Sequence, residues 1–171
     1  MQSPLNFKEM GSGQPLIILH GLFGSARNWR RIGDTLKSHW RVVLPDLPNH
    51  GNSPWSDDMS YPAQAEALKN FIVLRDLANP VIVGHSMGGK VAMALALSGQ
   101  CLINRLVIVD IAPVSYQHSH FELIQAMRTL PLAQISTRHD ADQLLAPAIP
   151  TSGLRPFLLK NLIIENRQTR W

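Results

Sequence analysis

The sequence contains little cysteine and no long apolar run. Its 171 residues include one cysteine, Cys101, so no disulfide can form within the chain, which favours a reducing compartment. No uninterrupted apolar run approaches the roughly 18 residues that a helix needs to span a bilayer. Residues 1–14 also lack the apolar core of a signal peptide. These absences predict a soluble, cytoplasmic protein that does not enter a membrane.

Charge of one sign is not concentrated anywhere along the chain. The formal net charge is +4 at pH 7, and the sequence pI is about 9.6. A basic face could attract a phosphate-bearing substrate. However, no block of about five basic residues occurs, and scattered arginines are more typical of solvated helix faces. We therefore expect no nucleic-acid partner.

Apolar runs typical of buried strands alternate with helical segments over the first two thirds of the chain. The runs lie at residues 15–20, 40–48, 80–84 and 105–113. Between two of them, Ser60 and Pro62 are typical of the start of a helix. This alternation predicts an α/β fold with a mostly parallel sheet covered by helices on both faces. Ligands of such sheets bind at the carboxyl ends of the strands.

The pattern changes at Gln117, after which no buried-strand run occurs. The remaining segment predicts two or three helices interrupted by four prolines, which is typical of a helical cap or insertion. We therefore expect two domains, a core over residues 1–116 and a cap over residues 117–171.

The sequence Gly-His-Ser-Met-Gly at 84–88 joins a buried strand to a helix predicted from Met87 to Leu97. It fits the G-x-S-x-G nucleophile elbow, in which a serine occupies a strained strand-to-helix turn. The two glycines are needed because side chains there would collide with the turn. The helix N-terminus favours a developing negative charge beside Ser86. We therefore predict that Ser86 is a catalytic nucleophile, although an idle serine in a Gly-rich turn would give the same motif.

A second motif, His-Gly-Leu-Phe-Gly at 20–24, follows the first buried strand. Acyl transfer needs two backbone N–H donors aimed at one oxyanion. The N–H groups of Met87 and Leu22 are the expected pair. We expect His20 to brace this loop rather than act as a base, and Phe23 either lines an acyl pocket or packs in the core.

Four segments together resemble the α/β-hydrolase fold family, and within it the bacterial cytoplasmic esterases of YbfF type. They are "LHGLFGSARNW", "DLPNHGNSP", "VGHSMGGKVAMALAL" and "VIVDIAPVSY". The resemblance covers residues 15–116 and extends into the cap at "FLLKNLI". It implies a serine hydrolase of carboxylic esters or acyl thioesters, with no metal or organic cofactor. The expected partner is thus a small acyl ester or thioester.

The resemblance also implies a catalytic acid, which falls on Asp110 at the end of the strand "RLVIVD". A turn or capping aspartate is the alternative interpretation of Asp110. Asp46 is the rival acid, but it belongs to a segment that resembles the family's brace under the elbow. We expect His50 and Ser53 to hold the shape of that brace.

No histidine of this chain matches the family's catalytic base. In the family that histidine follows two further strand–helix units, which we expect this chain to lack. His118 and His120 begin the cap and could approach the site. The leading hypothesis is thus an incomplete esterase or thioesterase, and the alternative is a non-catalytic binding module. Some lyases and peroxidases that keep the serine triad also remain open.

Two further expectations concern surfaces. Tyr116 follows Asp110 by six positions and, with Phe157, offers apolar surface for an acyl pocket, as do Phe121 and Leu158. The apolar strand carrying Asp110 would lie at a sheet edge, where unpaired backbone groups favour association.

Overall fold

The computed structural model describes residues 5–117, 119–166 and 168–171, so His118 lies outside the described residues. The chain divides into two compact units, Met1–Val114 and Ser115–Trp171. The division falls two residues before the predicted one.

The first unit is built on a five-stranded sheet of order β1-β3-β2-β4-β5. The strands are β1 (Phe7–Met10), β2 (Pro15–Leu19), β3 (Arg41–Pro45), β4 (Val81–His85) and β5 (Arg105–Val109). All neighbours pair in parallel except β1, which runs antiparallel to β3. The predicted mostly parallel α/β sheet is therefore confirmed.

Helices cover both faces of this sheet. They are α1 (Arg30–Leu36), α2 (Tyr61–Leu74) and α3 (Met87–Ser98), and a 3-10 turn at Ala26–Trp29 precedes α1. The helix predicted after Ser60 is confirmed, because the Ser60 side chain caps α2 by accepting from the Ala63 N–H.

Successive residues of β2 point to opposite faces of the sheet and supply two cores. Ile17 and Leu19 pack with residues of α2 and α3. Leu16 and Ile18 pack with Val42 and neighbouring residues of the other face. Burial on both faces explains why the strand is a continuous apolar run rather than an alternating one.

Strand β5 lies at the edge of the described sheet and remains accessible. Leu106, Val107 and Val109 keep 36%, 44% and 36% of their surface exposed. Association through this apolar edge stays a prediction.

The second unit combines short helices with a hairpin. The helices are α4 (Phe121–Arg128), α5 (Arg138–Leu145) and α6 (Leu154–Leu158), with 3-10 turns at Leu132–Gln134 and Leu159–Asn161. Two strands, β6 (Ile163–Glu165) and β7 (Gln168–Arg170), pair antiparallel. The sequence analysis expected helices alone, because three-residue strands carry no buried run. Side chains fix the hairpin instead, since Thr169 Oγ1 donates to the Ile135 carbonyl and Trp171 Nε1 to that of Met127.

Among the described residues, no helix combines the length and apolar character that crossing a membrane requires.

Candidate active site

Ser86 occupies a sharp turn between the end of β4 and the start of α3. Its backbone has φ 51° and ψ −118°. A positive φ is sterically unfavourable for a residue with a Cβ, and such strain persists only where the surroundings impose it. The turn therefore has the strained strand-to-helix form that the motif predicts.

The flanking glycines impose this turn by close packing. A Cβ on Gly84 would lie 2.5 Å from the carbonyl oxygen of Gly88. A Cβ on Gly88 would lie 2.5 Å from the carbonyl oxygen of His20, at the end of β2. Real Cβ atoms do not approach other atoms so closely, so neither position accepts a side chain without movement of the backbone.

The first turn of α3 lies directly behind Ser86. The Ser86 carbonyl accepts from the N–H groups of Gly89 and Lys90, at 2.9 and 3.2 Å. Met87 is the first helical residue, and an N–H at that position has no partner within the helix. The N-terminal end of α3 thus offers a donor and a positive dipole beside the serine.

The predicted oxyanion loop lies against the elbow. A Cβ built on Gly21 would lie 3.2 Å from the Ser86 Cβ and 3.0 Å from His85 Nδ1. Leu22 follows immediately and is half-buried against the main core. Phe23 has φ 60°, a second strained non-glycine backbone in the same site. The backbone of residues 21–23 is thereby held close to Ser86.

His20 is buried, with 1% of its surface exposed, and its two ring nitrogens bond to the backbone. Nδ1 lies 2.9 Å from the Gly21 carbonyl, and Nε2 accepts from the Leu47 N–H at 3.0 Å. Burial lowers the pKa of His20 to about 4, so the ring is neutral near pH 7. This is the geometry of a histidine that joins two loops, as expected for a brace.

Asp110 follows β5 and comes next to the elbow through the sheet register. His85 of β4 lies opposite Val109 of β5, and the Ser86 N–H donates to the Val109 carbonyl at 3.0 Å. Asp110 has φ 55°, and 84% of its side chain is exposed. Its carboxylate is therefore at the edge that carries the candidate nucleophile, and it is open to solvent.

Sequence reasoning missed the contact between His85 and Asp110. Its Nε2 lies 3.7 Å from Asp110 Oδ2, and its ring makes an edge contact with Trp29 at 5.9 Å between centroids. The signal was available, because parallel neighbouring strands that end together bring His85 and Asp110 to one sheet edge.

Asp46, the rival acid, is 3% exposed, and its carboxylate is occupied by neighbouring donors. Oδ1 accepts from the Ala26 N–H at 2.7 Å. Oδ2 accepts from Asn6 Nδ2 at 2.7 Å and from the Asn52 N–H at 3.0 Å. Nearby, Ser53 Oγ donates to the Asp46 carbonyl at 2.6 Å. These contacts tie three chain segments together and leave little capacity for a histidine.

The remaining predicted residues lie outside the unit that carries Ser86 or outside its site. Tyr116 and Phe157 belong to the second unit, so their roles in an acyl pocket stay predictions. Burial raises the pKa of the Cys101 thiol, which disfavours a reactive thiolate. Among the described residues, no group of three or more metal-ligating side chains is arranged as a metal site.

Residues 14–135 match the model of the alpha/beta hydrolase fold family. The chain is 39% identical over 167 residues to the sn-1-specific diacylglycerol lipase ABHD11 of Xenopus laevis, covering 93% of this chain and 54% of that protein. It is 33% identical over 153 residues to the esterase YbfF of Escherichia coli, covering 89% of this chain and 60% of that protein.

A solved structure supports the same assignment. A marine microorganism esterase superposes with a TM-score of 0.93 at 41% identity, over 98% of this chain and 67% of that one. The chain spans about half the length of the curated relatives it matches. The resemblance to this family that the four sequence segments indicated is confirmed.

Proposed function

The chain belongs to the α/β-hydrolase fold family, and on that premise we propose that it is a serine hydrolase of carboxylic esters or acyl thioesters. One observation carries the proposal: the strained backbone of Ser86, φ 51°, at the N-terminus of α3. Strain of this kind is costly, about 1–3 kcal/mol, and concentrates at functional sites. The esterase and lipase names of the relatives support the same reaction class.

The proposed chemistry passes through an acyl-enzyme. Ser86 Oγ forms a bond to the acyl carbon while its proton moves to a base, and the carbonyl electron pair moves onto oxygen. The N–H groups of Leu22 and Met87 hold that oxyanion. Collapse of the tetrahedral species expels the alcohol or thiol, which takes up the proton. Water then attacks the acyl-Ser86 carbonyl, releasing the acid and restoring the serine.

Asp110 is the proposed acid that orients the imidazole base. Its position beside the elbow and its exposed carboxylate support this role. Asp46 is instead proposed as a structural group, because its oxygens already accept from Asn6, Ala26 and Asn52. An aspartate serves a triad by holding the imidazole in the correct orientation and stabilising its protonated form, so it must have access to that imidazole.

No histidine of the first unit is placed as the base. His20 bonds to the backbone through both nitrogens, and His50 is buried with Nδ1 against the Pro48 carbonyl. His85 contacts Asp110, and His39 lies on the exposed segment between α1 and β3. We propose that none of the chain's seven histidines serves as the base, and that the 171-residue chain turns over esters only at a residual rate, roughly a thousandfold or more below a complete triad.

The substrate is proposed to be a small acyl ester or thioester that requires no metal or organic cofactor. Its apolar acyl group would contact Phe23 of the oxyanion loop, together with Tyr116 and Phe157. Ester substrates need an apolar wall beside convergent polar groups, and these aromatic side chains are the candidates.

A fluorophosphonate probe tests the nucleophile. In a form of the protein with a complete triad, we expect stoichiometric labelling, with the adduct on Ser86 alone by peptide mass spectrometry. Ser86→Ala should abolish labelling. Ser98→Ala, at the far end of the same helix, is the matched control and should leave it unchanged. If the form with a complete triad stayed unlabelled, a binding module would be favoured. Labelling that survives Ser86→Ala would remove Ser86 from the mechanism.

A parallel hydrolysis assay with p-nitrophenyl esters tests whether a histidine of the 171-residue chain acts as the base. Residual turnover is expected from the isolated chain. Full, Ser86-dependent turnover would show that a histidine of this chain acts as the base, with His118 and His120 the first to substitute.

A further inference from the structure

A groove of about 570 Å³ lies on the first unit between helix α2 and the loop at residues 48–58. Ala63, Ala67, Asn70 and Leu74 line it from the helix. Their spacing places them on one face of α2, over a length of about 16 Å at 1.5 Å per residue. The volume falls within the roughly 300–1,000 Å³ of small-molecule sites. None of its described lining residues belongs to the candidate active site.

The groove exposes large apolar side chains to solvent. Trp55, Val73 and Leu74 line it and keep 87%, 73% and 65% of their surface accessible. Large exposed apolar side chains gathered around one groove are typical of ligand-binding grooves. Phe71 and Leu5, both buried, also line the groove.

The loop that forms the opposite wall is held in shape before any ligand binds. Asn49 Nδ2 donates to the Ser56 carbonyl, and the Ser56 N–H donates back to Asn49 Oδ1, both at 2.7 Å. The Asn49 N–H donates to the Pro54 carbonyl at 3.1 Å. Pro48 and Pro54 further restrict the backbone. A wall fixed in this way lowers the entropy cost of binding.

The charged side chains on the lining are both acidic, although the chain carries a net charge of +4. Asp58 Oδ1 accepts from the Ser60 N–H at 2.8 Å. Glu66 pairs with Lys69 at 2.7 Å. The exposed indole of Trp55, on the same lining, offers a π face, and aromatic faces attract ammonium groups. The groove therefore complements an apolar body that carries a positive head.

We propose that this groove binds an amphiphile with an alkyl body and a cationic ammonium head. The alkyl chain lies along the stripe of α2 between Ala63 and Leu74, and the head lies at Trp55 and Asp58. Binding here does not depend on the proposed ester hydrolysis.

Calorimetric titration of the 171-residue chain with octyltrimethylammonium, below its micellar concentration, measures the interaction. Saturable binding at one site is expected. Octyl sulfate, with the same chain and the opposite charge, should bind at least about tenfold more weakly. Tetramethylammonium should give no measurable binding, because it lacks the apolar body. Equal affinity for the two octyl compounds would overturn the assignment of charge.

Substitutions locate the site. Trp55→Ala should weaken binding at least about tenfold, and Asp58→Asn about threefold. Asp57→Asn is the matched control. It removes the same charge from the neighbouring residue, whose side chain does not belong to the described lining. Ala67→Phe should also abolish binding by filling the groove, with circular dichroism showing that each variant is folded. Unchanged affinity in Trp55→Ala and Ala67→Phe would refute the proposal. A basic amphipathic peptide tests the other kind of cationic ligand, and a chain that binds this peptide but not the octyl cation would refute the proposal as well.

Discussion

Two groups of histidine and aspartate lie in the first unit, and they differ mainly in their access to water. In the first group, His20, Asp46 and His50 are 1%, 3% and 8% exposed. In the second, the side chains of His85 and Asp110 are 36% and 84% exposed and lie 3.7 Å apart. The same residue types thus occur once in the protein interior and once at the surface.

Burial decides what each group can do. In the buried group the carboxylate accepts from backbone and side-chain donors. The two imidazoles each bond through Nδ1 to a backbone carbonyl, and His20 Nε2 also accepts from the Leu47 N–H. These bonds are needed because an unsatisfied buried polar group would be costly. These groups therefore contribute to stability. The exposed pair has weak interactions of its own, since water screens them. A carboxylate in that position can accept a new partner, which is what the proposed mechanism requires of Asp110.

The largest expected effect of this difference appears in the pH dependence of stability. Burial lowers the pKa of His20 to about 4, and burial also lowers the pKa of His50. In the unfolded chain the two imidazoles bind protons with a pKa near 6.5. Above that pH both states are neutral at these positions, and the free energy of unfolding is not reduced by proton binding. As the pH falls towards 4, His20 alone should remove about 3 kcal/mol from the free energy of unfolding.

Urea unfolding at intervals between pH 7 and pH 4 measures this slope. His20→Gln should have a shallower slope than the parent chain over the same range, because it removes one proton-binding group. Parallel slopes for the two proteins would contradict a neutral, buried His20.

The two aspartates provide the next contrast. Asp46→Asn places an amide donor against the donors of Asn6, Ala26 and Asn52, so it should cost about 2.5 kcal/mol of unfolding free energy. Asp110→Asn, the matched change at an exposed carboxylate, should cost less than about 0.5 kcal/mol. Denaturant midpoints of the two variants measure the two losses of stability. Equal losses would mean that Asp110 also has a structural role.

Much of this fold could be predicted from the sequence, because buried parallel strands require continuous apolar runs. The runs around Ile17, Val43 and Ile82 each became a strand. The elbow at Ser86 could be predicted because only glycine fits at Gly84 and Gly88.

Other features could not be predicted because they depend on contacts distant in sequence. Thr169 and Trp171 anchor the hairpin β6–β7 to carbonyl groups that lie 34 and 44 residues earlier in the chain. The saturation of Asp46 depends on donors 20 and 40 residues away along the chain. The sequence motif identifies the aspartate, whereas its burial and its hydrogen-bond partners depend on the fold.

A pair of glycines extends the comparison to the backbone. Gly51 and Gly99 both have left-handed backbones, with φ 54° and 66°. A Cβ on Gly51 would overlap the Asp46 carboxylate, whereas a Cβ on Gly99 would meet nothing within 4 Å. Gly99→Ala should cost about 1 kcal/mol for its backbone alone. Gly51→Ala should cost about 2 kcal/mol more, because it displaces the buried carboxylate.

Thermal unfolding of the two variants, compared with the parent chain, isolates the steric part of the loss. The backbone cost is common to both substitutions, so it cancels in the difference. If the two variants lost the same stability, the loop at Gly51 would have to move without disturbing Asp46, and the buried group would be less tightly held than its hydrogen bonds indicate.

The smallest expected effect belongs to the exposed pair. His85 Nε2 and Asp110 Oδ2 are 3.7 Å apart, and the aspartate side chain is 84% exposed, so solvent screens their attraction. His85→Gln alone is a poor test, because it also removes the ring contact with Trp29. A double-mutant cycle with Asp110→Asn cancels that contact and reports only the coupling between the two side chains. We expect a coupling energy below about 0.5 kcal/mol from urea unfolding, decreasing further in high salt. A coupling of more than about 1 kcal/mol would show that His85 binds Asp110 as firmly as a buried partner, and the proposed pairing of Asp110 with a catalytic histidine would then require His85 to be displaced.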